Sequence, residues 1–379
     1  MLNNFRVYLK LLFYKSKIIF FDFFYSKPKI NFKKRKNSEI IHNIKIDRYN
    51  YKIFEFNNSR IWTNKNDVAA YITQENILSE ASLQYKKFDH INSKNQPLNK
   101  NITLENGTTN FLKKYNGSLL SVLSGGASRD NFTHWFTDVI PRIFIFKKKF
   151  KLTKIDKVYV PSIKYKYQTE SLNLLGISKK KIISSEITKH VSANKIYCTS
   201  HPCFHDPSKV KKWSLLSLRK LVSNKVFSNN SKYENIFIDR DQVKILDQNN
   251  LRKFSSYRVL LNEEEIKNYL FSINFFIFKP ENYSFDEQIK IIKSANTIVS
   301  LYGAAMMMLL FCKKRTNVIE IAPYKAGNEF LNISRILGLN HKKIKLKPVI
   351  ESKIKQNGLI YCPISKIKKN LKNIRFKNF

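Results

Sequence analysis

Apolar residues along this chain alternate between two spacings: short continuous runs, and stretches in which they recur every third and fourth position. From Asn131 onward the alternation is regular. Lys157–Pro161 (KVYVP) is an apolar run closed by a proline, which cannot donate to a strand ladder. Tyr167–Leu175 has helical spacing and stops at Gly176, a suitable residue just past a helix end. Strands follow at Ile182–Ser184 and Lys195–Cys198. A second series runs helix Lys209–Lys225, strands Asn235–Asp239 and Arg258–Leu261, helix Glu263–Ser272 and strand Phe275–Lys279. Ser284-Phe-Asp-Glu287 then reads as a capping box opening a helix through Ile289, Ile292 and Ala295. Thr297–Leu301 and Asn317–Ile321 are strands, Gly303–Phe311 a turn and helix, and Glu329–Leu337 a helix; Ile364–Ile374 also has a helical pattern. Alternating strands and helices of this kind predict an α/β fold with parallel sheet, the second series forming a doubly wound lobe. Residues from about 30 to 130 give no readable pattern.

The run at 199–208 (TSHPCFHDPS) carries two prolines and is expected to separate two lobes. The resulting plan is a basic, aromatic N-terminal segment over 1–45, a first lobe over 46–205, a second over 206–346 and a basic tail over 347–379. A length of 379 residues suits two α/β domains.

Charge complicates this picture. Lys and Arg number 69 against 28 Asp and Glu, a formal +41, which raises an anionic membrane or a nucleic acid as partner. The lysines are scattered through every segment rather than gathered on one, so a dedicated nucleic-acid face is not expected. Four dispersed cysteines are too few for a disulfide scaffold, which suits a cytoplasmic protein. In the N-terminal segment, Lys10, Lys15, Lys17 and Asp22 break the apolar runs before they reach a spanning length, and no small-residue cleavage site follows. Such a segment either lies in the headgroup layer of an anionic membrane or packs as a helix on the first lobe.

Open α/β sheets bind ligands beyond the carboxyl ends of their strands. Tyr302-Gly303-Ala304 lies at such an end and allows close backbone approach; Glu320 sits near the end of another strand, where a sugar or ribose hydroxyl would suit its carboxylate. Arg240, Arg258, Asn262 and Glu263 form a polar set at strand ends, the arginines suited to a departing diphosphate. His134 and Asp138, four residues apart, share a helix face and form a candidate base; Asn131, Trp135 and Arg142 around them are candidate acceptor contacts. Asp239-Arg-Asp241 and the Cys198, His201, Cys203, His205 group look metal-like, but the first match is short and the second is spaced too tightly for usual zinc pairs; no metal role is assigned to either.

Taken in order, these residues resemble glycosyltransferase family 61 over roughly Gly125 to Leu346. The resemblance rests on Asn131-x2-His134-Trp135-x2-Asp138-x2-Pro141-Arg142, Ile238-Asp-Arg240 and Arg258-x3-Asn262-Glu263. It continues through Pro280-Glu281, Ser284-Phe285, Glu287-Gln288, Gly303-Ala304 and Val318-Ile-Glu320-Ile. It implies a GT-B architecture, two Rossmann-like lobes facing across a cleft, with the nucleotide-sugar donor held mainly by the second lobe. It further implies sugar transfer with inversion to a carbohydrate or glycolipid acceptor, without cofactor or obligatory metal, in a setting such as capsule or lipopolysaccharide synthesis at the inner face of the membrane. Either His134 or Asp138 serves as base, with preference for Asp138. Two positions depart from the family: Tyr302 stands where it usually has His, and Met308 where it usually has Asn, and the interval from Arg240 to Arg258 is stretched. A degenerate, carbohydrate-binding member of the fold is the alternative these departures raise.

Overall fold

The computed structural model describes residues 2–30, 38–64, 69–82, 98–124, 127–203, 209–225, 233–240, 258–372 and 374. His205, Asp241 and the stretched interval after Arg240 lie outside them. The chain divides into two compact units, Met1–Asp206 and Pro207–Phe379.

The first unit is built on a seven-stranded mixed sheet. Its strands are β1 (Glu39–Ile46), β2 (Tyr49–Thr63), β3 (Ala69–Ile72), β4 (Lys113–Ser121), β5 (Lys157–Val160), β6 (Ile182–Ser184) and β7 (His190–Thr199). The order is β1-β2-β7-β4-β5-β6, with β3 also on β2. β4, β5, β6 and the β4–β7 pair are parallel. The other half is antiparallel, because β1 turns directly into β2 at Asp47, whose φ of 51° suits a tight reversal. The expectation of a Rossmann-like first lobe therefore holds only for the β4–β6 half. Phe54, Phe56, Tyr71, Leu119 and Ile196 belong to its core. An N-terminal helix, Leu2–Tyr25, joins this unit through buried Phe21 and through Tyr25, whose hydroxyl accepts the Leu112 N–H at 2.9 Å.

The second unit carries a five-stranded, all-parallel sheet. Its strands are β8 (Asn235–Ile238), β10 (Phe276–Phe278), β11 (Thr297–Leu301), β12 (Asn317–Pro323) and β13 (Asn340–Leu346), in the order β10-β8-β11-β12-β13. Helices Glu263–Ser272, Phe285–Ser294 and Glu329–Leu337 follow strands as the apolar spacing predicts. The capping box is formed: Ser284 Oγ accepts the Glu287 N–H, and the Glu287 carboxylate accepts the Ser284 N–H at 2.8 Å. The segment after Gly303 is a 3-10 helix, Ala304–Phe311, in which Met308 is a buried packing residue.

β9 (Arg258–Leu260) stands outside the main sheet. It pairs in parallel with β15 (Gly358–Ile360), which also pairs with β14 (Ile350–Glu351). Residues 350–371 thus complete this unit rather than hanging from it as a tail: Ile360, Cys362, Ile367 and Leu371 share its core with Phe237 and Leu260.

Candidate active site

Helix Phe132–Lys147 carries the first group of candidate residues, and its start is set by Asn131, whose Oδ1 accepts the His134 N–H at 3.2 Å. Pro141 has no N–H to offer the carbonyl four residues earlier, and the helix widens into a π-turn at Trp135–Val139. Asp138 sits in that turn. His134 Nδ1 lies 2.7 Å from Asp138 Oδ2. Oδ1 accepts the Thr137 hydroxyl at 2.7 Å and the Cys203 thiol at 3.2 Å, and His201 Nε2 stands 3.7 Å from Oδ2.

Asp138 is only 2% exposed. Burial works against its charge, yet His134 and His201 beside it hold the carboxyl well below the usual carboxylate range. Burial likewise opposes charge on the His134 ring, but the Asp138 carboxylate outweighs it and the pKa is raised above its ordinary 6.5. His201 is pushed down by burial despite the same carboxylate. Its Nδ1 accepts the Cys203 N–H at 3.2 Å, which leaves the ring proton on Nε2, facing Asp138. Asp138, His201 and Cys203 could offer a metal three ligand atoms within 4.8 Å of one another. The hydrogen bonding argues otherwise. The His201 lone pair is taken by a backbone N–H, and the thiol, whose neighbours in this site include a carboxylate, donates to it.

Three expected acceptor contacts have other roles. Asn131 is the helix cap. Trp135 is fully buried, its indole N–H donating to Ser171 Oγ at 2.9 Å, so its ring offers no face to a sugar. Arg142 is also fully buried; its Nε donates to the Asp138 carbonyl at 3.1 Å and another nitrogen to the Thr199 carbonyl. An interior guanidinium holding backbone has no access to a phosphate.

In the second unit the candidate donor residues gather beyond the carboxyl ends of β8, β11 and β12. Arg240 donates to the Tyr302 carbonyl at 3.2 Å, and a Cβ on Gly303 would come within 2.3 Å of its guanidinium. Glycine at 303, leading into Ala304, is what lets Arg240 lie against the strand end. Arg258 stacks over the Tyr302 ring at 4.8 Å and Lys343 over it at 5.0 Å. Burial, and then the Arg258 charge, push Arg240 down to about 10; burial also lowers Arg258. Two confined guanidinium groups at one strand end favour the arrival of an anion. The Tyr302 hydroxyl lies 3.0 Å from Glu329 Oε2 and 3.1 Å from Gln356 Oε1.

Three further residues behave differently from expectation. Glu320 is fully buried and already paired, with His341 at 2.9 Å and with Lys343 at 2.8 Å, directly across the β12–β13 register. It positions the cation above Tyr302, and its burial keeps both oxygens out of reach of a ligand hydroxyl. Asn262 exchanges hydrogen bonds with the backbone of Cys362, accepting its N–H at 3.1 Å and donating to its carbonyl at 2.9 Å. Glu263 is 1% exposed, and among the described residues neither carboxylate oxygen has a hydrogen-bond partner. Burial, reinforced by the Asp239 charge and opposed by Lys267, pushes its carboxyl up to about 7. Asp239 itself is buried between the ammonium groups of Lys267 at 3.0 Å and Lys279 at 3.6 Å.

With this geometry in hand, residues 132–319 match the family Glycosyltransferase 61. The chain is a member of glycosyltransferase family 61. No curated protein sequence matches it. Membership gives sugar transfer between a donor and an acceptor as the general activity. The matched span takes in His134, Asp138, Arg240, Arg258, Tyr302 and Gly303 but stops before Lys343 and Gln356. Lys343 and His201 are the additions that sequence reading missed. His201 was visible only as part of a metal-like cluster, because β7 is needed to return the chain to Asp138 from 63 positions away.

Proposed function

We propose that this family member is an inverting GT-B enzyme that moves a sugar from a nucleotide donor to a carbohydrate or glycolipid acceptor. The second unit holds the nucleotide diphosphate and the first activates the acceptor hydroxyl. His134 is the base and Asp138 its positioning partner. The observation that carries this is the 2.7 Å His134–Asp138 contact, made by a carboxylate that is buried and occupied while 16% of the imidazole side chain stays exposed. Asp138 fixes the proton on Nδ1, leaving the Nε2 lone pair for the acceptor. As the acceptor oxygen bonds to the anomeric carbon, its proton passes to Nε2. The bond from that carbon to the diphosphate breaks, and the electron pair leaves with the nucleotide. A single displacement inverts the centre. Arg240 and Arg258 meet the charge on the leaving group, the role a divalent ion fills in other sugar transferases, so the reading includes no metal.

A second reading, a degenerate carbohydrate-binding protein, has Tyr302 as its support. Against it, Tyr302 keeps both arginines at the strand end. We place the activity in surface polysaccharide assembly at the cytoplasmic face of the membrane.

Thermal unfolding with UDP, GDP and CMP tests the donor side: the matching nucleotide at a hundred times its Kd raises stability by about 2.7 kcal/mol. A screen of the corresponding nucleotide sugars, with the product anomer read by NMR, tests the chemistry. No stabilisation by any nucleotide, or a product with retained configuration, would sink the proposal.

A further inference from the structure

The N-terminal helix Leu2–Tyr25 is held by the first unit near its C-terminal end, and most of its apolar side chains stay exposed. Phe21 is buried against Phe111 at 5.0 Å, and the Tyr25 ring meets the edge of His190 at 4.9 Å. Those residues fix the helix to the unit. Phe5, Leu9, Phe13, Phe20, Phe23 and Phe24 recur at helical spacing on a different side, each about half exposed or more, with Phe13 at 75% and Phe23 at 85%. Single exposed apolar residues are ordinary; a row of this length along one helix is not. Arg6, Lys10 and Lys17 run along one border of the row, and Lys15 lies on the other. No helix among the described residues is long and apolar enough to cross a membrane.

We infer that this open stripe docks the protein on an anionic lipid surface, lying in the plane of the headgroups. The phenylalanines enter the acyl boundary while the basic border meets lipid phosphates. Charge selects this occupant over a second copy of the chain. Pairing two such stripes would bring two basic borders together on molecules that each carry +41. An anionic bilayer is complementary to both the stripe and its border, and the inference stands apart from the catalytic reading.

Flotation of the full chain with phosphatidylcholine vesicles, and with vesicles also containing phosphatidylglycerol, tests it. The protein is expected to partition onto the anionic vesicles and to be released by salt. The double variant Phe13→Asp, Phe23→Asp should lose at least about tenfold in partitioning. Because both positions are exposed, its melting temperature should stay unchanged. Lys10→Glu should lose roughly fivefold on anionic vesicles alone. Three results overturn the inference: equal binding to both lipid compositions, undiminished binding by the phenylalanine variant, or a stripe-dependent dimer that vesicles do not dissociate.

Discussion

His134 and Asp138 stand 2.7 Å apart inside a helical turn that Pro141 has widened, so the imidazole is held by a neighbour that the same helix buries. Protonated His134 cannot accept the acceptor proton, and its pKa is raised by that carboxylate. Activity should therefore be present at high pH and be lost as pH falls through a midpoint above 6.5. Asp138→Asn should move that midpoint downward and lower kcat by about 10²–10⁴-fold, with nucleotide binding retained. A pH–kcat/KM profile of both proteins checks it. An acid limb left unmoved would show that the limb does not belong to an imidazole held by Asp138, and would remove His134 as the base.

Pro141→Ala supplies the missing N–H and lets the Thr137 carbonyl take a regular bond. The π-turn should tighten and swing Asp138 away from His134. The expected variant is equally or more stable in thermal unfolding, yet at least about tenfold less active, since small displacements of a positioned base are costly.

Arg258 and Asn262 should separate cleanly. Arg258→Lys keeps the charge but loses the planar group stacked on Tyr302, so nucleotide affinity should fall with little change in melting temperature. Asn262→Ala breaks both bonds to Cys362 and should cost about 1–3 kcal/mol of stability. Isothermal titration and denaturant unfolding on the two variants distinguish the roles.

Glu263 makes a pH prediction of definite sign. Its folded pKa is raised from 4.5 to about 7, so the folded protein holds the proton more tightly than the unfolded chain. Its favourable contribution is complete below pH 4.5 and is lost as pH rises through 7. Glu263→Gln should therefore leave stability unchanged near pH 4 and raise it by up to about 3 kcal/mol at pH 8. Denaturant midpoints at the two pH values provide the measurement.

The second unit was largely legible because four of its five parallel strands are short apolar runs and a helix such as Phe285–Ser294 announces itself with a local cap; β13, lysine-rich and half exposed, carries no such run and went unread. β2 was not, because buried residues on both its faces erase the alternation that marks a half-exposed strand. The spacing of Asn131, Trp135, Asp138 and Arg142 correctly put them on one helix. Which side each faces depended on a π-turn and on partners such as Ser171 and Thr199, and these are far away in sequence. Glu320 was recognised as a carboxylate needing a partner; Lys343 and His341 on β13 supply it, a pairing that exists only once the sheet is assembled.

The β9–β15 pairing bears on the order of assembly. Arg258 lies on a strand whose neighbour is synthesised about a hundred residues later, and Gly358 is its register partner. During translation the five-strand sheet can form first, leaving the guanidinium on an unfinished edge until the C-terminal strand arrives. On the proposed role of Arg258, donor recognition should thus be among the last properties a nascent chain acquires.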